Sequence, residues 1–165
     1  MLESFLFFFF LFAGLLYILL RLRNRRRSSR PAVIDGSNLL YWRDNSLSLD
    51  PVREAVQLLK AAGYRPYVIF DANAGYLVEN RYLNGWNFAK RLGLSVSQTL
   101  VAPRGQPADP LILAFARDSG GIVISRDRFR DWAEAFPAET APGRVVSGGY
   151  RGGRFQLNLE RLSKT

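Results

Sequence analysis

Apolar residues fall along this chain in distinct rhythms. From Phe5 to Leu20 they are continuous, broken only by Gly14 and the hydroxyl of Tyr17. From Pro31 onward, short apolar runs alternate with stretches in which apolar residues recur every three or four positions, the signatures of buried strands and amphipathic helices. AVIDGSN predicts a strand stopped by Asp35 and Gly36. LDPVREAVQLLKAAG predicts a helix with Asp50 as N-cap, Pro51 at the first helical position and Gly63 just past the end. Val52, Ala55, Val56, Leu59 and Ala62 line its apolar face. RPYVIFD predicts a second strand, closed by Asp71, and a helix is expected over Tyr76–Leu92 with Gly85 weakening its middle. SQTLVAP reads as a third strand and PRGQPA as a loop. DPLILAFARDSGG repeats the cap signal at Asp109 and Pro110, GIVIS is a fourth strand and FRDWAEAF a short helix. GRVVSGGYRGGRFQLNL predicts a strand, a glycine-rich turn and a last strand.

Strands alternating with helices imply crossover connections, hence an α/β fold of three layers with a mainly parallel sheet between helices. Ligands of such sheets bind beyond the carboxyl ends of the strands. Asp35, Asp71 and Asp127 lie at or just past such ends, Asp131 follows closely, and Asp109 reaches the same edge if its helix begins there. Carboxylates gathered in one place repel one another and lose hydration, so a cluster of them calls for a cation. Singly, each has a plainer role: Asp109 as a helix cap, Asp131 as an early helical acid facing the dipole, Asp35 in an Asx turn before Gly36.

Composition narrows the chemistry. The 165 residues hold neither cysteine nor histidine, which excludes disulfides, Cys- or His-ligated zinc and imidazole catalysis. A metal here would be held by oxygen, which favours Mg²⁺ or Mn²⁺. The net charge is +9, of which residues 1–30, with six Arg and one Glu, hold +5. Residues 1–20 read as a single transmembrane anchor, because about 20 apolar residues span a bilayer core. A cleaved signal peptide has its basic region before the apolar run, whereas here RLRNRRRSSR follows it. Arginines on that side place the amino terminus outside and the remainder in the cytoplasm, at the inner or plasma membrane. Residues 21–30 form a basic juxtamembrane linker to anionic lipid head groups. Residues 31–165 form the one folded domain expected of a chain this long.

VIDGSN, ADPLILAFARDSGGIVISRDRFRDW and GRVVSGGYRGGRFQLNL resemble the NYN branch of PIN-like ribonucleases, especially the catalytic domain of the Regnase family of CCCH zinc-finger endoribonucleases. The resemblance covers most of residues 31–160 and is weak from Tyr76 to Pro107. It implies a Rossmann-like PIN/NYN fold and a Mg²⁺- or Mn²⁺-dependent endoribonuclease. Catalytic positions carried over are Asp35, Asn38, Asp109, Asp127 and Asp131, with Asp35, Asp109 and Asp127 as metal ligands and Asn38 orienting water or a phosphate. Asp71 is an additional candidate at the rim. The family has two adjacent acids at the helix start, and this chain has Ala108 before Asp109. The CCCH zinc finger is absent from the sequence.

An acidic site repels RNA unless cations line its approaches. Arg104, Arg126, Arg128, Arg130, Arg151 and Arg154 are the expected substrate-binding cations, and the aromatic residues of YRGGRF are expected to stack on bases. Single-stranded or looped RNA suits such a surface, because its bases can be splayed out. Two alternatives follow: a non-catalytic RNA-binding or assembly module at the membrane, consistent with Ala108, and an aspartyl phosphatase, disfavoured because Ser37 stands two residues after Asp35. A homo-oligomer is compatible with the sequence.

Overall fold

The computed structural model describes residue 14 and residues 30–44 and 46–159. The expected anchor over 1–20 and all but the last residue of the 21–30 linker lie outside the described residues, Gly14 apart. Among the described residues no helix is long and apolar enough to cross a membrane.

Five strands form one parallel sheet: β1 (Arg30–Asp35), β2 (Tyr64–Phe70), β3 (Thr99–Val101), β4 (Ile122–Ile124) and β5 (Val145–Val146), in the order β3-β2-β1-β4-β5. Successive strand residues face opposite sides, and each side has its own core. Ala32, Ile34, Val68, Phe70, Ile122 and Ile124 pack into one cluster with α1 (Gly36–Leu39), α2 (Asp50–Ala61), α3 (Ala74–Glu79) and α4 (Gly85–Leu92). Val33, Ile69 and Val123 pack into the other with α5 (Asp109–Ser119). The three layers expected of the alternating pattern are therefore present. The ends of β1 and β2 and all of β4 read as continuously apolar because both of their faces are covered.

The chain forms a different structure from the sequence expectation at several places. Asp50 and Asp109 are the first helical residues, with Leu49 and Ala108 at the N-cap positions and no side-chain cap from either. The Asp50 N–H instead donates to Ser48 Oγ at 3.0 Å. Ala62 lies past the end of α2 and is exposed, so it leaves the apolar face. The helix expected over Tyr76–Leu92 is two helices. Asn80 ends α3 in the left-handed region at φ 51°, and Asn84 opens α4 through a reciprocal capping box with Asn87. Gly85 therefore begins a helix, where a Cβ would lie 2.8 Å from the Thr99 carbonyl oxygen. The linker between the two helices crosses Gly75, where a Cβ would lie 2.5 Å from the Leu83 nitrogen. Glu79 fastens the junction by accepting from Arg91 and Arg81, which hold its carboxyl down at about 2.

FRDWAEAF forms only a 3-10 turn over Arg130–Trp132. Phe129 sits before it at φ 49° with its ring buried in the α5-side core, which turns the chain away from a helical path. The carboxyl-terminal segment holds three strands rather than two. After β5, β6 (Gly148–Arg151) and β7 (Arg154–Leu157) form a separate antiparallel hairpin. It packs on α2 and Trp42: Phe155 stacks on Trp42 at 5.9 Å between centroids, and the Tyr150 hydroxyl donates to Glu54 at 2.5 Å.

Candidate active site

The strand order reverses at β1: the chain runs from β1 outward to β3, then returns to place β4 on the other side of β1. The crevice at the carboxyl ends of β1 and β4 is thus the topological switch point, where ligands of open α/β sheets bind. Asp35 ends β1, and Ser125, Arg126 and Asp127 follow β4. Alternation along the strands sets Asp35 on the face of Val33, Asp71 on that of Ile69 and Ser125 on that of Val123. All three therefore belong to the side covered by α5, whose first residue is Asp109.

Hydrogen bonds fix this edge. Asp35 is only 5% exposed; its Oδ1 accepts from the Asn38 N–H at 3.1 Å and its Oδ2 from Ser125 Oγ at 2.8 Å. Ser125 Oγ in turn accepts from the Asp127 N–H at 3.0 Å, so one serine couples the ends of β1 and β4. Asn38 Oδ1 accepts from Trp42 Nε1 at 2.8 Å and from the Arg126 N–H at 3.1 Å. Its amide nitrogen carries no hydrogen bond to the described residues. Asp71 is drawn in from both sides. Its N–H donates to Ser37 Oγ at 2.8 Å, and its Oδ1 accepts from the Ala108 N–H at 3.0 Å. The carboxylate of Asp71 thus serves the start of α5, and the carboxylate of Asp109 is free of any capping duty.

These carboxylates act on one another. Burial pushes Asp35 up to about 7, with Asp109 and Asp71 adding charge repulsion, while the bonds from Asn38 and Ser125 oppose the rise. Asp109 is also raised, by burial and then by the charges of Asp127 and Asp71, with Asp131 adding a smaller push and the neighbouring Trp132 indole opposing them. The five aspartates expected from sequence therefore share one edge electrostatically. They do not close on a point: among the described residues, no three acidic side chains come close enough together to hold one ion. Asp127 shows why, since its Oδ1 turns back to accept from the Phe129 N–H at 2.7 Å.

The arginines separate into two kinds. Arg128 and Arg130 are exposed and, with Asn38, Asp127 and Asp131, line an open depression of ≈ 540 Å³ beside Asp35. Arg126 lines it too, but its guanidinium is engaged, lying 4.7 Å over the Trp42 ring and donating through Nε to the Gly148 carbonyl at 3.1 Å. Arg151 and Arg154 are exposed beside the Gly152–Gly153 turn, about 10 Å along the hairpin from Gly148 at ~3.4 Å per residue. Arg104 stands on the other flank, after β3. The aromatic rings of the hairpin are not presented for stacking. Tyr150 packs edge-on against Phe155 beneath Arg43, and Phe155 packs on Trp42. Ser125, Ser37 and Trp132 are the residues at this edge that sequence reasoning left unassigned. The serine of the Ser-x-Asp sequence after β4 was the available signal for Ser125.

Residues 28–158 match the Zc3h12a-like ribonuclease NYN domain as a sequence family. No curated protein matches the chain. Two structures of the nuclear protein-only RNase P 2 (PRORP2) of Arabidopsis thaliana resemble it in fold. One has a TM-score of 0.60 at 16% identity, over 79% of this chain and 30% of that one. The other has a TM-score of 0.54 at 16% identity, over 83% and 31%. The chain thus spans less than a third of that protein's length, and the likeness is one of fold alone.

Proposed function

The chain belongs to the Zc3h12a-like ribonuclease NYN family, and from that premise we propose that it is a Mg²⁺- or Mn²⁺-dependent endoribonuclease acting at the edge of Asp35, Asp71, Asp109 and Asp127. The observation that carries the reading is Asp35 itself. A carboxylate is buried at the switch point of the sheet, held by two hydrogen bonds and repelled by two further aspartates. A fold keeps such a group against its cost when something of opposite charge is to meet it.

The donor set suits a divalent cation. It is made of hard carboxylate oxygens, and both raised carboxyls mark negative charges facing one another with no positive side chain among their causes. Asp35, Asp109 and Asp127 would hold the ion, directly or through water, with Asp131 beyond them and Asp71 at the rim. A cation there would supply acidity to the attacking water and offset charge on the phosphate. The chain's own groups do the rest. The Asn38 amide, with its oxygen anchored, has N–H donors for water or a phosphate oxygen. Arg128 and Arg130 bring the phosphate backbone of single-stranded or looped RNA to the depression, with Arg104, Arg151 and Arg154 flanking it.

The Phe5–Leu20 run and the arginines behind it support a single-pass anchor with the nuclease domain on the cytoplasmic face of the inner or plasma membrane. A non-catalytic RNA-binding module is the alternative, favoured by the absence of three converging carboxylates among the described residues. End-labelled RNA and DNA incubated with the protein in Mn²⁺, Mg²⁺ or EDTA decide between the two. Internal cleavage of RNA is expected only with the ion, and it should be lost in Asp35→Asn and Asp71→Asn. Intact RNA under every condition, with RNA still bound, establishes the binding module instead.

A further inference from the structure

Beyond the acidic edge, the carboxyl ends of β2 and β3 open into a cavity of ≈ 560 Å³ lined by Asn73, Tyr76, Tyr82, Ala102, Pro103 and Arg104. Its two tyrosines are among the most exposed large side chains described, at 55% and 57%. By contrast, Trp42 lies under Arg126, Tyr150 and Phe155 are engaged in the hairpin packing, and Trp132 packs against the α5-side core. Two half-bare phenol rings, an amide and a guanidinium around one cavity are the parts that hold a nucleotide. Rings stack on the faces of a base whatever its identity, an amide reads its edge, and an arginine takes the adjoining phosphate. The volume falls within the range of small-molecule sites.

The position of the cavity ties it to the acids. Asp71 immediately precedes Ala72 and Asn73 of its wall, and Asp71 Oδ1 accepts from the Ala108 N–H at the start of α5. Strands lie about 4.8 Å apart, so a cavity at the ends of β2 and β3 is roughly one to two strand spacings from Asp35 on β1. We infer that the cavity is a base-binding subsite, in which Tyr76 and Tyr82 hold the unstacked base of a nucleotide flanking the scissile bond and Arg104 its phosphate. It requires a base that can leave its stack, so the substrate class is single-stranded or looped RNA. The inference rests on the ribonuclease reading and adds to it a specificity element on the side away from Arg128 and Arg130.

The test uses the full chain in detergent micelles and fluorescence anisotropy of a labelled single-stranded RNA decamer. The comparison set is a series of decamers, each lacking one base. Tyr76→Ala with Tyr82→Ala is expected to weaken binding of the intact decamer about 5- to 150-fold, the range that stacking one base contributes. The loss should largely vanish for decamers abasic at one position, and Tyr76→Phe with Tyr82→Phe should restore affinity. Undiminished affinity in the alanine variant overturns the subsite and leaves the ribonuclease reading standing. A loss of equal size for every abasic decamer also overturns it, because the rings would then act through the fold or a protein contact. A wild-type chain that neither binds nor cleaves RNA overturns both readings.

Discussion

Asp35→Asn separates the electrostatic cost of the site from its function. In the folded protein the carboxyl titrates at about 7, against an ordinary value of 3.8. Between those values the native state holds a proton that the unfolded chain has released, so stability is fully present below about pH 4 and falls as pH rises through 7. At 1.36 kcal/mol per unit the loss is on the order of 4 kcal/mol. The chain has no histidine, which leaves few other groups to titrate between pH 5 and 8. Asp109, raised in the same direction, adds a smaller slope of the same sign. Asparagine fits the same bonds, because its oxygen accepts from the Asn38 N–H and its amide can donate to Ser125 Oγ. Urea unfolding in EDTA at pH 5 and pH 8 is therefore expected to show a steep loss of stability in the wild type and a shallow one in Asp35→Asn. The variant should be the more stable protein at pH 8. Saturating Mn²⁺ should stabilise the wild type at pH 8, by about 2.7 kcal/mol at a hundred times Kd, and leave the variant nearly unmoved. Equal pH slopes in the two proteins would falsify the assignment of a buried, charge-strained carboxyl at the end of β1.

Arg126→Ala should cost about 1–3 kcal/mol of unfolding free energy, since it removes both the cation–π contact with Trp42 and the hydrogen bond to Gly148. Arg128→Ala should leave stability within about 0.5 kcal/mol while lowering RNA affinity and flattening its salt dependence, as measured by denaturation and by binding at several ionic strengths. A reporter fused after Thr165 should be active in the cytoplasm, and activity found only outside it would reverse the proposed orientation.

How much of this was legible beforehand depended on how local its cause is. Strand apolarity is a property of consecutive residues, so β1, β2 and β4 and the aspartates at their ends stand out in the sequence. The start of α5 at Asp109 is equally local, carried by Asp-Pro. The capping assignments failed because Ser48, a residue outside the helix, and Asp71, a residue 37 positions away, do that work. The break between α3 and α4 is set by the approach of Leu83 to Gly75 and of the Thr99 carbonyl to Gly85, contacts that periodicity cannot register. The same holds for Arg126. Its charge pattern with Arg128 and Arg130 suggests three equivalent cations, and only the fold over Trp42 and Gly148 distinguishes the first. Exposed tyrosines at positions 76 and 82 look like helix-face residues until β3 and its following loop complete the cavity around them.

The resemblance implies two adjacent acids at the helix start, where this chain has Ala108 and Asp109, and this bears most directly on whether the edge can be catalytic. Ala108 is 2% exposed and packs with Val33, Ile69 and Phe129, so its side chain belongs to the core rather than to the crevice. A carboxylate at that position would have to be desolvated among apolar groups or would force the helix start to shift. Meanwhile the Ala108 N–H binds Asp71, which repels both Asp35 and Asp109. The edge therefore keeps a carboxylate beside the start of α5, supplied from the end of β2 instead of from residue 108. In charge, Asp71 supplies beside the helix start what the resemblance leads one to expect at residue 108. In geometry, Asp71 is tethered by a backbone hydrogen bond that a cation would have to share or displace, and this is why removing the Asp71 carboxylate is as informative as removing that of Asp35.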